Sequence, residues 1–169
     1  TNYSNGTSIT NPSPSTPPPL GVTVSANIVG SLSSSITSAQ SNLTANSWLS
    51  TGYTTASTAT STTQAYIEFS VVTTEYGGIG ISYDSYVKSG SWGGTNHLYL
   101  FSEVNGSGFT PTPLIDTTPL PTSWTNYKNS VVGVNDLTKF RIIASGSKSS
   151  PAPSPIYFDN IKVYGCPAL

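Results

Sequence analysis

The chain has 169 residues, enough for one well-buried core and too few for two full domains. Charged residues make up only 8% of it and the formal net charge is -1, so no basic surface exists to neutralise phosphates or to hold an anionic membrane, and nucleic acid is not an expected partner. About a third of the residues are Ser or Thr, so solubility rests on hydroxyls and amides, a surface that suits an extracellular protein. The chain contains no Met and its first residue is Thr1, which implies a leader removed by cleavage, with secretion as the expected route. No apolar run approaches the length of a membrane span. The single Cys166 cannot close an internal disulfide; it is either a free thiol or one half of an intermolecular bridge.

Residues 1–20 carry Pro12, Pro14, Pro17, Pro18 and Pro19 among Ser, Thr and Asn. Such a segment cannot build its own core and favours extended polyproline conformations, so it reads as an arm that orders only against something packed on it. Residues 21–169 then read as one β-sandwich domain. Its first strand is announced by Val22, Val24, Ala26 and Ile28 on one parity, with Thr23, Ser25 and Asn27 on the other. Residues 31–63 are weaker, with Trp48, Leu49 and Tyr53 standing out of a Ser/Thr-rich background that predicts loops and one or two short strands.

From Gln64 the alternation is clear: Ile67, Phe69 and Val71 share a parity, as do Ile79, Ile81, Tyr83 and Val87, and then Leu98 and Leu100. Gly77-Gly78, Gly93-Gly94 and Asn105-Gly106 punctuate these runs, the last being a strong hairpin signal. LTKFRIIA and YFDNIKVYG complete the set, separated by a loop over 145–155. No segment has a helical period. The spacing predicts an all-β, antiparallel, jelly-roll-like sandwich with Ile67, Phe69, Ile79, Ile81, Leu98, Leu100, Phe140, Ile142, Ile161 and Val163 in its core.

Several stretches between Ser47 and Gly165 carry a resemblance: the Trp48 to Tyr53 segment, GIGISYDSYVKSG, SEVNGSGF, and above all TKFRIIASG followed by IYFDNIKVYG. This half resembles the β-sandwich domains of bacterial secreted and surface proteins, including PEP-CTERM-type proteins, and jelly-roll carbohydrate-binding modules. The resemblance implies architecture more than activity, because many functions share the fold. In the modules that the last strand resembles, the residue matching Asp159 often holds a structural calcium ion. On the residues alone, Asp159 shares its parity with Tyr157, Ile161 and Val163, which puts a carboxylate on the expected core face, where it needs either an ion or hydrogen-bond donors. A hydrogen-bonded Asp is the plainer reading, since no second carboxylate lies near it in sequence.

Other candidates are weaker. Trp92, Tyr99, Phe101, Trp124 and Tyr127 can serve as a sugar-stacking set, since flat rings match the apolar face of a pyranose, or as ordinary sheet packing. His97 is the single histidine, and no nucleophile-elbow motif and no metal-ligand spacing accompany it, so no catalytic residues are assigned and no enzyme is expected. Sequons at Asn2, Asn5, Asn42 and Asn105 are candidate glycosylation sites.

Two functions follow from these readings. One is an extracellular structural subunit that assembles with copies of itself into a filament or surface layer, donating residues 21–30 so that Val22, Val24, Ala26 and Ile28 fill a neighbour's groove. The alternative is a carbohydrate-binding or adhesive module of a secreted protein, with polysaccharide as its partner.

Overall fold

A computed structural model describes residues 22–29, 33–37, 47–53, 58–63, 65–74, 76–89, 91–93, 95–146 and 155–166. The calls on residues 1–20, on Asn2, Asn5 and Asn42, and on the Cys166 side chain fall outside this set. The described residues contain ten strands and no helix: β1 (Thr23–Val29), β2 (Ser33–Thr37), β3 (Ser47–Thr51), β4 (Tyr66–Val72), β5 (Gly78–Tyr86), β6 (Asn96–Val104), β7 (Ile115–Thr117), β8 (Thr125–Val132), β9 (Leu137–Gly146) and β10 (Ile156–Cys166). They form two antiparallel five-stranded sheets in the orders β1-β4-β9-β6-β7 and β2-β3-β10-β5-β8. The all-β sandwich read from the alternating pattern is therefore the fold. Among the described residues no helix is long and apolar enough to cross a membrane.

The core lies between the sheets, and all ten residues assigned to it from parity are buried there. Ile67, Phe69, Leu98, Leu100, Phe140 and Ile142 come from the first sheet, and Ile79, Ile81, Ile161 and Val163 from the second. Trp48 on β3 stacks on Phe69 of β4, ring centroids 6.5 Å apart and 17° from parallel, joining the two sheets across the core. At the sandwich edge Tyr127 of β8 tilts against the buried Tyr83, its cross-strand partner on β5. Burial raises the pKa of both phenols, of Tyr83 far above the ordinary range.

Two sequence expectations meet the structure here, one on β1 and one on β10. The strand assigned to a neighbouring subunit closes its own sandwich: β1 pairs with β4 from Thr23↔Val72 to Val29↔Tyr66, Ala26 is buried, and Val22, Val24 and Ile28 pack on the same core. Alternation reports that a strand has an apolar face; it does not say whose core that face meets. The expectation for β10 is corrected. Asn160 adopts a left-handed φ of 50°, and the register with β5 shifts between Asp159 and Lys162. This bulge reverses the parity of the strand. Ile156 and Phe158 point inward before it and Ile161 and Val163 after it, so Tyr157 lies half-buried opposite Tyr86 on the outer side of the sheet.

Candidate functional site

In a chain with so few charges, where they gather is informative. The outer face of the first sheet collects Glu68, Glu103, Asp116, Lys139 and Arg141, together with His97. The register explains the gathering: Glu68↔Arg141↔Phe101 forms one row across β4, β9 and β6, Ser70↔Lys139↔Glu103 the next, and Ile143↔Tyr99↔Asp116 a third. Each strand alternates, so the residues that flank its buried aliphatics fall together on the outer side.

Tyr99, Phe101 and Ile143 make an apolar floor on this face, with Ala59, Tyr66 and Phe109 packed against it. Arg141 sits over the rings of Tyr66 and Phe109, its guanidinium carbon 4.1 and 3.9 Å from their centroids. Its Nε donates to Glu68 Oε2 at 2.7 Å and its Nη1 to the Ser61 carbonyl at 2.9 Å. The group is held in one orientation by both rings and both acceptors, and Nη2 donates to no acceptor among the described residues. At the other end of the floor the His97 ring lies parallel to Tyr99, 5.1 Å away and 8° tilted. His97 Nδ1 meets Asp116 Oδ1 at 2.8 Å and Thr118 Oγ1 at 2.6 Å. Glu68 is engaged with Arg141, and His97 with Asp116 and Thr118; these contacts fix the orientation of each group.

The five aromatic residues singled out from sequence do not form one platform. Tyr99 and Phe101 are the floor just described and are 5% and 1% exposed, so they support the face from below and offer no open ring. Trp92 packs on the core near Tyr53, and Tyr127 closes the sandwich edge. Trp124 lies half-buried on the opposite sheet, tilted on Tyr86. Tyr66, Phe109, Arg141 and Glu68 were not anticipated as a set. Tyr66 and Glu68 sit on the polar parity of an apolar strand, and only the strand register brings Arg141 beside them.

Asp159 is fully buried and lies opposite Asp84, itself 5% exposed, in the β10–β5 register. Three nitrogen donors meet this pair. Asn126 Nδ2 and Asn160 Nδ2 each donate to a different oxygen of Asp84 at 2.7 Å, and the Asn160 backbone N–H donates to Asp159 Oδ1 at 2.7 Å. Calcium requires a cage of oxygens, and the amide N–H groups turned toward these carboxylates accord with the hydrogen-bonded reading of Asp159. No group of three or more His, Cys, Asp or Glu that would hold a metal occurs among the described residues. The expected outcome is a thermal midpoint that a chelator leaves unchanged, with Asp159→Ala lowering it equally in chelator and in added calcium. A chelator-dependent drop that Asp159→Ala abolishes contradicts the hydrogen-bonded account.

Asn105 adopts φ 53° at the β6 exit, and its side chain braces the loop before β9, donating to the Gly133 carbonyl at 2.8 Å and accepting from the Asn135 N–H at 3.0 Å. A glycan on this amide nitrogen would compete with the first of these bonds. Two cavities, of about 140 Å³ beside Val24 and Val163 and about 170 Å³ beside Trp92 and Leu120, fall below the roughly 300 Å³ of ordinary ligand pockets.

No protein-family model matches the sequence, and no curated protein matches it. Solved structures do match the fold. The CBM22-1 xylan-binding domain of Xyn10C from Paenibacillus barcinonensis is 14% identical, with a TM-score of 0.54 over 85% of this chain and 87% of that one. The C-terminal family 22 carbohydrate-binding module of Xyn10B from Clostridium thermocellum is 12% identical, with a TM-score of 0.53 over 86% of each chain. The K1 cleaved adhesin domain of Lys-gingipain from Porphyromonas gingivalis W83 is 11% identical, with a TM-score of 0.50 over 98% of this chain and 96% of that one. A likeness to PEP-CTERM-type proteins is not shown by these structures. At such identities the likeness is one of architecture: this chain has the β-sandwich fold of carbohydrate-binding modules.

Proposed function

We propose that the chain is a non-catalytic carbohydrate-binding module that lays a polysaccharide chain along the outer face of the β1-β4-β9-β6-β7 sheet. The observation that carries the reading is the concentration of orienting groups on that face in a protein only 8% charged. A ring-lined floor is flanked by a fixed guanidinium at one end and a fixed imidazole at the other. Apolar rings receive the C–H face of a sugar, and positioned donors and acceptors fix its hydroxyls. Tyr66 and Phe109, half-buried and packed against the buried Tyr99 and Phe101, are the rings within reach of a chain laid across this face.

The xylan-binding domains among its structural neighbours make xylan the first ligand to try. A module of this kind works where its polymer is, which agrees with the extracellular character of the surface. Strand donation into a filament is not part of this reading, because β1 is used in the chain's own first sheet.

The test is retention in affinity gels containing soluble xylan, mixed-linkage glucan or glucomannan. Wild type is retarded by at least one polymer, and the Tyr66→Ala/Phe109→Ala double variant is retarded measurably less. Equal retardation of the two proteins, with the variant's fold intact by circular dichroism, overturns the assignment of the face.

A further inference from the structure

The opposite sheet carries a second aromatic surface. Trp124 immediately precedes β8, and because Thr125 pairs with Ser85 it stands opposite Tyr86, which pairs in turn with Tyr157 on β10. The three rings form one continuous ridge on the outer side. Trp124 and Tyr86 are 5.5 Å apart at 31°, Tyr86 and Tyr157 5.8 Å apart at 39°, and all three are half-buried. β8 is the edge strand of this sheet, so among the described residues no further strand covers the far side of the indole. Adjacent rings are tilted by more than 30°, so a flat crystalline surface cannot touch all three, whereas a single twisted chain can.

What flanks the ridge identifies its occupant. The next row holds Asn126, Asp84 and Asp159, with the Asn126 and Asn160 amides donating to Asp84, and the row after it holds Lys128, Ser82 and Lys162. Leu49 of β3 continues the ridge's own row beside Tyr157, while the rows that follow on its other side carry hydrogen-bonding groups. Rings bordered by amides, a hydroxyl and ammonium groups match a hydroxyl-rich ligand.

We propose that the Trp124–Tyr86–Tyr157 ridge is a second polysaccharide-binding surface, so that one module engages two chains on opposite faces and cross-links them. The two-chain statement rests on the reading of the first sheet; the ridge stands on its own residues. The sheets of a sandwich lie about 10 Å apart face to face, with both surfaces directed outward, so one extended chain does not reach both.

The experiment uses the full chain with xylohexaose for stoichiometry by calorimetry and with soluble xylan for light scattering. Wild type binds two oligosaccharides and raises scattering at intermediate ratios of protein to xylan, with the signal falling again in protein excess. Trp124→Ala, and independently Tyr157→Ala, halve the stoichiometry and remove the scattering maximum while circular dichroism and thermal midpoint stay close to wild type. The proposal is overturned if both variants keep wild-type stoichiometry and scattering. One oligosaccharide per wild-type chain, lost in Tyr66→Ala/Phe109→Ala, overturns the ridge and leaves the first face standing. One oligosaccharide per wild-type chain, lost in Trp124→Ala, overturns the first face and with it the cross-linking. No binding of xylohexaose or xylan by wild type overturns the two-chain proposal outright.

Discussion

Phe69→Ala lowers the unfolding free energy by about 3–5 kcal/mol, the usual cost of emptying a buried aromatic site. Phe69 is fully buried in β4 and stacks on Trp48 of the other sheet, so truncation removes the ring's transfer free energy and opens a void between the sheets. The neighbours cannot close that void easily, because Ile67, Phe140 and Ile142 are fixed by backbone ladders in the same sheet. For a domain of this size the thermal midpoint falls by roughly 10 °C. Val132 is 81% exposed, and Val132→Ala changes the midpoint by no more than about 0.5 kcal/mol equivalent. Urea unfolding of the two variants checks this, and equal midpoints would place the core elsewhere.

Arg141→Ala has the largest expected effect on ligand binding. The substitution removes the cation from two rings at once, leaves Glu68 at the floor without its counter-ion, and frees Tyr66 and Phe109 from the orientation the guanidinium imposes. Affinity for whichever soluble polysaccharide wild type retains falls by at least about tenfold, equivalent to ~1.4 kcal/mol. Stability falls by about 2 kcal/mol, since a charge-assisted hydrogen bond is lost from a partly buried pair. Arg141→Lys separates the two effects. Its ammonium keeps the charge beside Glu68 and restores much of the stability, but it lacks the planar fork that lies on both rings, so binding stays weak. Calorimetry on the three proteins reads this difference, and wild-type affinity in Arg141→Lys would reduce the residue to a point charge.

Much of the sandwich was legible because its central strands are half-buried and alternate cleanly. β4, β5, β6, β9 and β10 each carry at least one alternating pair of Ile, Val, Leu or Phe, such as Ile79 and Ile81 or Phe140 and Ile142, and the core residues drawn from them are the ones observed. β8 was missed for a physical reason. It is an edge strand whose inward positions Thr125, Tyr127, Asn129 and Val131 are only partly covered, so half of them are polar and no apolar parity marks the run. β7 spans only Ile115–Thr117, too short for any alternation. The bulge in β10 turns on the left-handed Asn160, and a DN pair inside an apolar strand is the one local signal that points to it.

The candidate face was less legible than the fold. Tyr99 and Phe101 were singled out, yet they are the buried floor, while the groups that meet solvent come from β4, β9 and the loop bearing Phe109. Glu68 and Arg141 are 73 residues apart and become neighbours only through the register of β4 with β9. Trp124 was visible as an aromatic; Tyr86 and Tyr157 joined it only once the bulge had turned Tyr157 outward.

The most direct measurement of the central claim is a titration of the isotopically labelled chain with xylohexaose, followed by amide chemical shifts. The account predicts that residues of β4, β9 and β6 shift together and saturably, centred on Tyr66, Tyr99, Phe109, Asp116 and Arg141, with a second set at Trp124, Tyr86 and Tyr157. Saturable shifts confined to residues away from the β4-β9-β6 face would contradict it, as would a spectrum that xylohexaose, glucan and mannan oligosaccharides all leave unchanged.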